Sequence, residues 1–207
     1  MDHVKKSIIL LLIVSLLASC LYGCADSPAQ PTEAAQPVAT DAPTEAPVAL
    51  EVKDYAASVK LDMSSETAKQ EVTVKQFVDG DTTHFHVPSS VFSTGVLKAR
   101  YAAINTPEST GKIEEYGKKA AAFTKEKLSA ATSIIVESET AEWNPDSTGS
   151  RFLVWIWYKT ADSGDYRNLN IEILQNGLAI ANSTATSRYG SVAMSALNQA
   201  KEQKVNI

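Results

Sequence analysis

From residue 71 onward the chain alternates. Val72, Val74 and Val78 are spaced by polar residues, the period of a half-buried strand. Asp79-Gly80-Asp81 follows as a tight turn, and residues 82–87 return as a second strand. Residues 88–95 form a loop. Residues 98–104 (KARYAAI) read as a third strand, stopped by Asn105-Thr106-Pro107-Glu108, because Pro107 fixes its own φ and drives Thr106 toward an extended geometry. The period then changes. Tyr116, Ala120, Phe123, Thr124, Leu128 and Ala131 share one face of a helix over residues 114–131. Residues 134–137 are a short strand, and residues 152–158 (FLVWIWY), apolar on both faces, predict a fully buried one. Asn168 is placed to cap a short helix carrying Ile171 and Leu174, with Gly177 where a left-handed residue ends it. A last helix over residues 191–204 turns Ala193, Ala196, Leu197 and Ala200 to one side. The order predicts an α+β domain, mainly β: a five-stranded barrel of the OB type with about three helices packed around it.

The first third of the chain has a different texture. Lys5 and Lys6 precede an apolar run over residues 8–17. Ten helical residues cover about 15 Å, half of a bilayer core, so the run predicts a signal peptide (residues 1–19) and not a span. Leu17-Ala18-Ser19-Cys20 reads as a bacterial lipobox, with Cys20 as the lipidated residue and Cys24 as the alternative. A lipid on that cysteine predicts attachment to the extracellular face of the membrane. Residues 20–50 hold five of the eight prolines among Ala, Thr, Gln and acidic residues, a composition that predicts a disordered, semi-extended linker. Residues 51–69 are mixed and polar, anchored only by Tyr55, Val59, Leu61 and Met63, and leave open whether this extension docks on the domain at 70–207.

Composition narrows the chemistry. Both cysteines precede the domain, which excludes a disulfide, a thiol nucleophile and a thiolate metal site within it. The net charge is −5, yet residues 68–207 carry 15 basic and 15 acidic side chains. Any affinity for nucleic acid must therefore come from placed charges rather than a bulk field. His84 and His86 share a strand face without a third ligand in view, which reads as solvated surface rather than a zinc site.

The corner at residues 98–109 stands apart. Arg100, an amide at Asn105, a hydroxyl and carbonyl at Thr106 and a carboxylate at Glu108 fall within nine positions. These are the parts needed to hold a hard cation and a phosphate together. The wording resembles the staphylococcal nuclease (thermonuclease) family: an Arg, an apolar run, then Asp-Thr-Pro-Glu. Asp79-Gly80-Asp81-Thr82, Tyr116-Gly117, the Asp146-to-Arg151 lead-in to the apolar strand and Gly177-Leu178-Ala179 follow the same family in order, over about residues 73–207. The resemblance implies a Ca²⁺-dependent endonuclease that cuts DNA and RNA, single strands by preference, leaving 3′-phosphates. It implies Asp81, Asn105 and the Thr106 carbonyl as metal ligands, with Asp79 shaping the site. It implies Arg100 as the phosphate-binding arginine, Glu108 as general base and Arg151 as the group that stabilises developing charge. Asn105 stands where the family has a second metal carboxylate, Ser150 is one residue more than the family's loop carries, and residues 182–190 offer only Tyr189 as an aromatic for base stacking. The alternative is an OB-type module that binds nucleic acid or protein without cutting. No protein partner is implied.

Overall fold

Four antiparallel pairings and one parallel pairing close a barrel around the buried apolar residues the pattern singled out. The computed structural model describes residues 51–206, all within the compact unit Ala49–Ile207. The expected signal peptide (1–19), Cys20, Cys24 and the expected linker (20–50) lie outside the described residues.

The elements run α1 (Tyr55–Ser58), β1 (Lys69–Asp79), β2 (Thr82–His86), β3 (Val96–Tyr101), β4 (Ile104–Asn105), α2 (Gly117–Ser129), β5 (Ala131–Glu137), β6 (Phe152–Thr160), β7 (Arg167–Asn168), α3 (Leu169–Gln175), β8 (Ile180–Ala181) and α4 (Gly190–Glu202). Strands β3, β2, β1, β5 and β6 form the wall in that order, and β6 meets β3 in parallel to close it, with β7 appended to β6. This is the closed five-stranded barrel of an OB fold. Phe85, Leu97, Ala99 and Tyr101 alternate inward with exposures of at most 1%, as period 2 requires. Strand β6 is buried on both faces, as its run of apolar residues demands. Outside the barrel wall, Trp155 and Trp157 meet the Tyr189 ring edge-on at 5.1 and 5.4 Å. On α2 the stripe Ala120, Thr124 and Leu128 is buried, and on α4 Ala193, Ala196, Leu197 and Ala200 are. Asn168 caps α3 by accepting from the Ile171 N–H at 3.1 Å. Gly177 has φ +61, and a Cβ there would stand 1.9 Å from the Val205 carbonyl oxygen.

Two expectations change. The third strand does not run from 98 to 104. It starts at Val96, stops at Tyr101, turns at Ala102-Ala103 with Ala103 at φ +67, and resumes as β4, which pairs with β8. A left-handed alanine costs about 1 kcal/mol, and the corner is held by partners from far along the chain. Asn170 Nδ2 donates to the Ala102 carbonyl at 3.0 Å; Thr184 Oγ1 and the Asn182 N–H donate to the Ala103 carbonyl at 2.8 and 2.9 Å. Second, three helices become four. Residues 51–69 dock, and their single helical turn α1 sits against α3 and α4. Gln175 Oε1 accepts from the N–H groups of Tyr55 and Ala56 at 2.7 and 3.3 Å, and Arg167 forks onto Asp54. Ala56 is fully buried, whereas Met63, read as an anchor, is 63% exposed.

Candidate active site

The β1–β2 turn is pinned before any ligand is considered. Thr124 Oγ1 donates to the Gly80 carbonyl at 2.6 Å, and the Tyr101 N–H donates to the Asp81 carbonyl at 2.9 Å. A Cβ on Gly80 would stand 2.9 Å from both Ala120 Cβ and Thr106 Oγ1, so only glycine lets α2 and residue 106 close over the turn. That packing aims Asp81 inward, where it is 5% exposed. Its Oδ2 accepts from the Thr106 N–H at 2.7 Å and faces Arg100 Nη1 at 2.9 Å, while its Oδ1 accepts from Thr82 at 3.0 Å.

Arg100 is almost as buried and braces the corner from inside. Its Nη1 also donates to the carbonyls of Tyr101 and Ile104 at 3.2 and 3.0 Å, and its Nη2 donates to Asn105 Oδ1 at 2.6 Å. Asn105 itself is exposed, and the Thr106 hydroxyl is buried with no hydrogen-bond partner. Glu108 follows Pro107 at the cleft mouth. Its N–H donates to Glu114 Oε2 at 3.1 Å, and its carbonyl accepts from the Glu114 N–H at 2.9 Å. A Cβ on Gly117 would stand 2.1 Å from the same carbonyl oxygen, so the start of α2 abuts the Glu108 backbone. Desolvation, and then the facing charges of Asp79, Asp81 and Glu114, push the Glu108 carboxyl above its ordinary value.

Arg151 comes from the opposite side, at the head of β6. Its Nε and Nη2 both reach Asp146 Oδ2 at 2.7 Å. Burial opposes ionisation of Asp146, but hydrogen bonds from Thr148 and Arg151 outweigh it and hold the carboxyl below its ordinary value. The additional Ser150 is taken up in the turn, where it shares a hydrogen bond with Thr148 at 2.7 Å.

These groups border one cavity. Asp79, Asp81, Thr82, Arg100, Asn105, Glu108 and Arg151 line a cleft of about 210 Å³, together with Val78 and Thr110. A second cleft of about 450 Å³ shares Arg100 and Arg151 with it. This one extends past Ala103, Leu153 and Glu139 to the polar residues Asn182, Ser183, Thr186 and Ser187. The smaller cleft offers only oxygen donors, the set a Ca²⁺ ion prefers. Asp81 Oδ1 takes one hydrogen bond and has capacity left, and Asp79 and Glu108 line the same cleft, a gathering of carboxylates that a cation would offset. Among the described residues no group of three or more His, Cys, Asp or Glu side chains is arranged to hold a metal. A cation here would therefore depend on the Asn105 amide, backbone carbonyl and water oxygens beside Asp81.

A family model described as staphylococcal nuclease homologue matches residues 98–207, more than half of the chain. The chain belongs to that family. The match contains Arg100, Asn105, Thr106, Glu108 and Arg151. Asp79 and Asp81 precede it and reach the same cleft through the β1–β2 turn. The family is generally one of nucleases, so the domain is of a nuclease or nucleic-acid-binding type. No curated protein matches the chain.

Three participants escaped the reading of the sequence as site residues. Asp146 reads in the sequence as the start of the lead-in to Arg151 and not as the partner of that arginine, although an Asx turn five positions before an arginine is a usable signal. Glu114 and Gly117 read in the sequence as the start of a helix. Nothing in their local pattern indicates that the chain doubles back there to hold Glu108.

Proposed function

We propose that this protein is a Ca²⁺-dependent phosphodiesterase that cuts DNA and RNA, single strands by preference, to 3′-phosphate products, and that lipidation at Cys20 (or Cys24) holds it at the extracellular face of the membrane. The observation that carries the catalytic part is the meeting of two guanidinium groups, an oxygen-rich corner and a carboxyl of raised proton affinity on one small cleft.

Arg100 and Arg151 take the non-bridging oxygens of the scissile phosphate, which a guanidinium matches with paired N–H groups. For Arg151 this means turning donors away from Asp146, which orients it. Asp81, the Asn105 amide oxygen and the Thr106 carbonyl hold the cation, with Asp79 beside them. When bound, Ca²⁺ supplies Lewis-acid polarisation of a phosphoryl oxygen. Glu108 accepts a proton from the attacking water, whose oxygen bonds to phosphorus as the bond to the 5′ oxygen breaks. The leaving oxygen takes a proton from solvent, and Arg151 stabilises the charge that develops before it does.

One observation favours the alternative, a module that binds without cutting. Arg100 already spends donors on Asp81, Asn105 and two carbonyls, so a phosphate must compete for it. Incubation of the full chain with labelled single-stranded DNA, in Ca²⁺ or in chelator, separates the two. Calcium-dependent fragments ending in 3′-phosphate, reduced about 10²- to 10⁴-fold in Glu108→Gln, are the expected result. Intact DNA retarded on a gel under both conditions would establish the binding module.

A further inference from the structure

The pleat that carries Arg100 and Thr82 to the cleft continues along the outside of the barrel. Register pairs Thr82 with Arg100, His84 with Lys98 and Gln76 with His84, so these residues lie in successive rows on one face of β1, β2 and β3. The opposite face, with Thr83, Phe85, Leu97 and Ala99, is fully buried. A register shift between Val74 and Gln76 places Lys75 at a bulge, and both Lys75 and Gln76 are exposed there. Lys98 is exposed and His84 half-buried. Among the described residues neither Lys75 nor Lys98 forms an ion pair. Burial, and then the charges of Lys98 and Lys75, hold the His84 imidazole below its ordinary value, with no carboxylate set against them. The charge of the row is that of its two lysines, and the row ends toward His86, where a hollow is shared with Glu71.

We propose that this outer face of β1–β3, through Lys75, His84 and Lys98, grips the phosphodiester backbone of a single-stranded nucleic acid whose reacting phosphate lies at Arg100. The inference rests on the function proposed above and adds to it a place for the substrate beyond the cleft. The dimensions suit a single strand. Lys98 and Arg100 are two residues apart on one strand, about 7 Å, and β1 to β3 spans only about 10 Å. The domain's charges balance as a whole, and no carboxylate is set against Lys75 and Lys98 at His84, so the row is a placed feature. Two lysines and a histidine fall short of the clusters of roughly four to eight lysines and arginines that anionic membranes recruit, which favours a narrow polyanion over a lipid surface.

The test is fluorescence anisotropy of the full chain with oligothymidylates of three and twelve nucleotides. It is run in chelator, and in Ca²⁺ with Glu108→Gln present in every protein to prevent turnover. The twelve-nucleotide probe is expected to bind at least about tenfold tighter than the short one, and Lys75→Ala/Lys98→Ala to remove most of that advantage. The same pair is expected to flatten the salt dependence of long-probe binding by about 1.4 in log–log slope, about 0.7 for each lost contact. Lys75→Arg/Lys98→Arg is expected to restore both. An unchanged length advantage and slope in the alanine pair would overturn the backbone track while leaving the cleft reading intact. Absence of binding by either probe in both conditions, with no calcium-dependent cleavage by the protein retaining Glu108, would overturn both. Loss of phosphatidylglycerol vesicle binding in the alanine pair, with oligonucleotide binding unchanged, would show that a membrane is the occupant instead.

Discussion

Asp81 has two jobs that a single substitution cannot separate. It is the candidate ligand with a free lone pair, and it is also the only carboxylate facing the buried Arg100 at 2.9 Å among the described residues. Breaking a buried pair by removing one partner strands the other charge, at about 3–5 kcal/mol. Asp81→Ala is therefore expected to lower unfolding free energy by that order in urea titration, so its loss of activity says little about metal. Asn105 is the cleaner probe. It is exposed, and its amide oxygen already faces the cleft and Arg100. Asn105→Asp keeps that oxygen and adds a charge, which tightens a calcium site. The calcium concentration giving half-maximal cleavage is expected to fall on the order of tenfold, with little change in the urea midpoint. A variant that needs as much calcium as the parent would place the ion elsewhere.

The docked extension and the corner show best what elements add to residues. Residues 51–69 are held by polar contacts around one buried alanine, so their attachment is sensitive to single atoms. Gln175→Ala removes the acceptor for two N–H groups and is expected to cost about 1–3 kcal/mol. Acid acts on the same joint. The Arg167 hydrogen bonds hold the Asp54 carboxyl below its ordinary 3.8. A depressed value contributes stability that is complete above the unfolded value and is lost as pH falls through the folded one. Protection of α1 amides from hydrogen exchange is therefore expected to decline below about pH 4, and Asp54→Asn to show weak protection at every pH. The pair is half-exposed, so the effect is small and screened by salt. Periodicity made the long strands, the three longer helices and the Gly177 stop legible, because burial on one face writes itself into the sequence. The one-turn α1 and the two-residue strands β4, β7 and β8 carry no period. Ala102-Ala103 passed as strand because an alanine pair holds no turn signal; its bend is imposed by Asn170, Asn182 and Thr184. In the site, the residue types at 79–81, 100, 105–108 and 151 could be picked out by their motifs. The meeting of Arg151 with Asp79, Asp81, Arg100, Asn105 and Glu108 on one cleft, which Thr106 does not line, depends on the barrel's parallel closure, which no local pattern encodes.

At the scale of the molecule, one buried side chain joins that closure to the site. Asn170 is fully buried. It accepts from the Ile156 N–H at 2.9 Å and donates to the carbonyls of Ala102 and Val154, both at 3.0 Å. It bridges β6 to the corner beyond β3, where the parallel strands part. Asn170→Ala removes the side-chain partner of the buried Ile156 N–H and Ala102 carbonyl, while the Val154 carbonyl keeps the Ala102 N–H at 2.8 Å; it is expected to destabilise by about 2 kcal/mol or more, read as a lower melting temperature. Among molecules that remain folded, the freed corner is expected to loosen Arg100 and to raise KM. An unchanged KM would mean that the corner holds its shape without this brace. The pairing of β4 with β8 carries one more consequence. Asn105 acquires its strand partner only when Ile180 is in place, and the Ala103 bend waits for Asn182 and Thr184. A ribosome delivers those residues about eighty positions after the corner, so a nascent chain that ends before residue 180 carries Arg100, Glu108 and Arg151 without the partners that give the corner its shape.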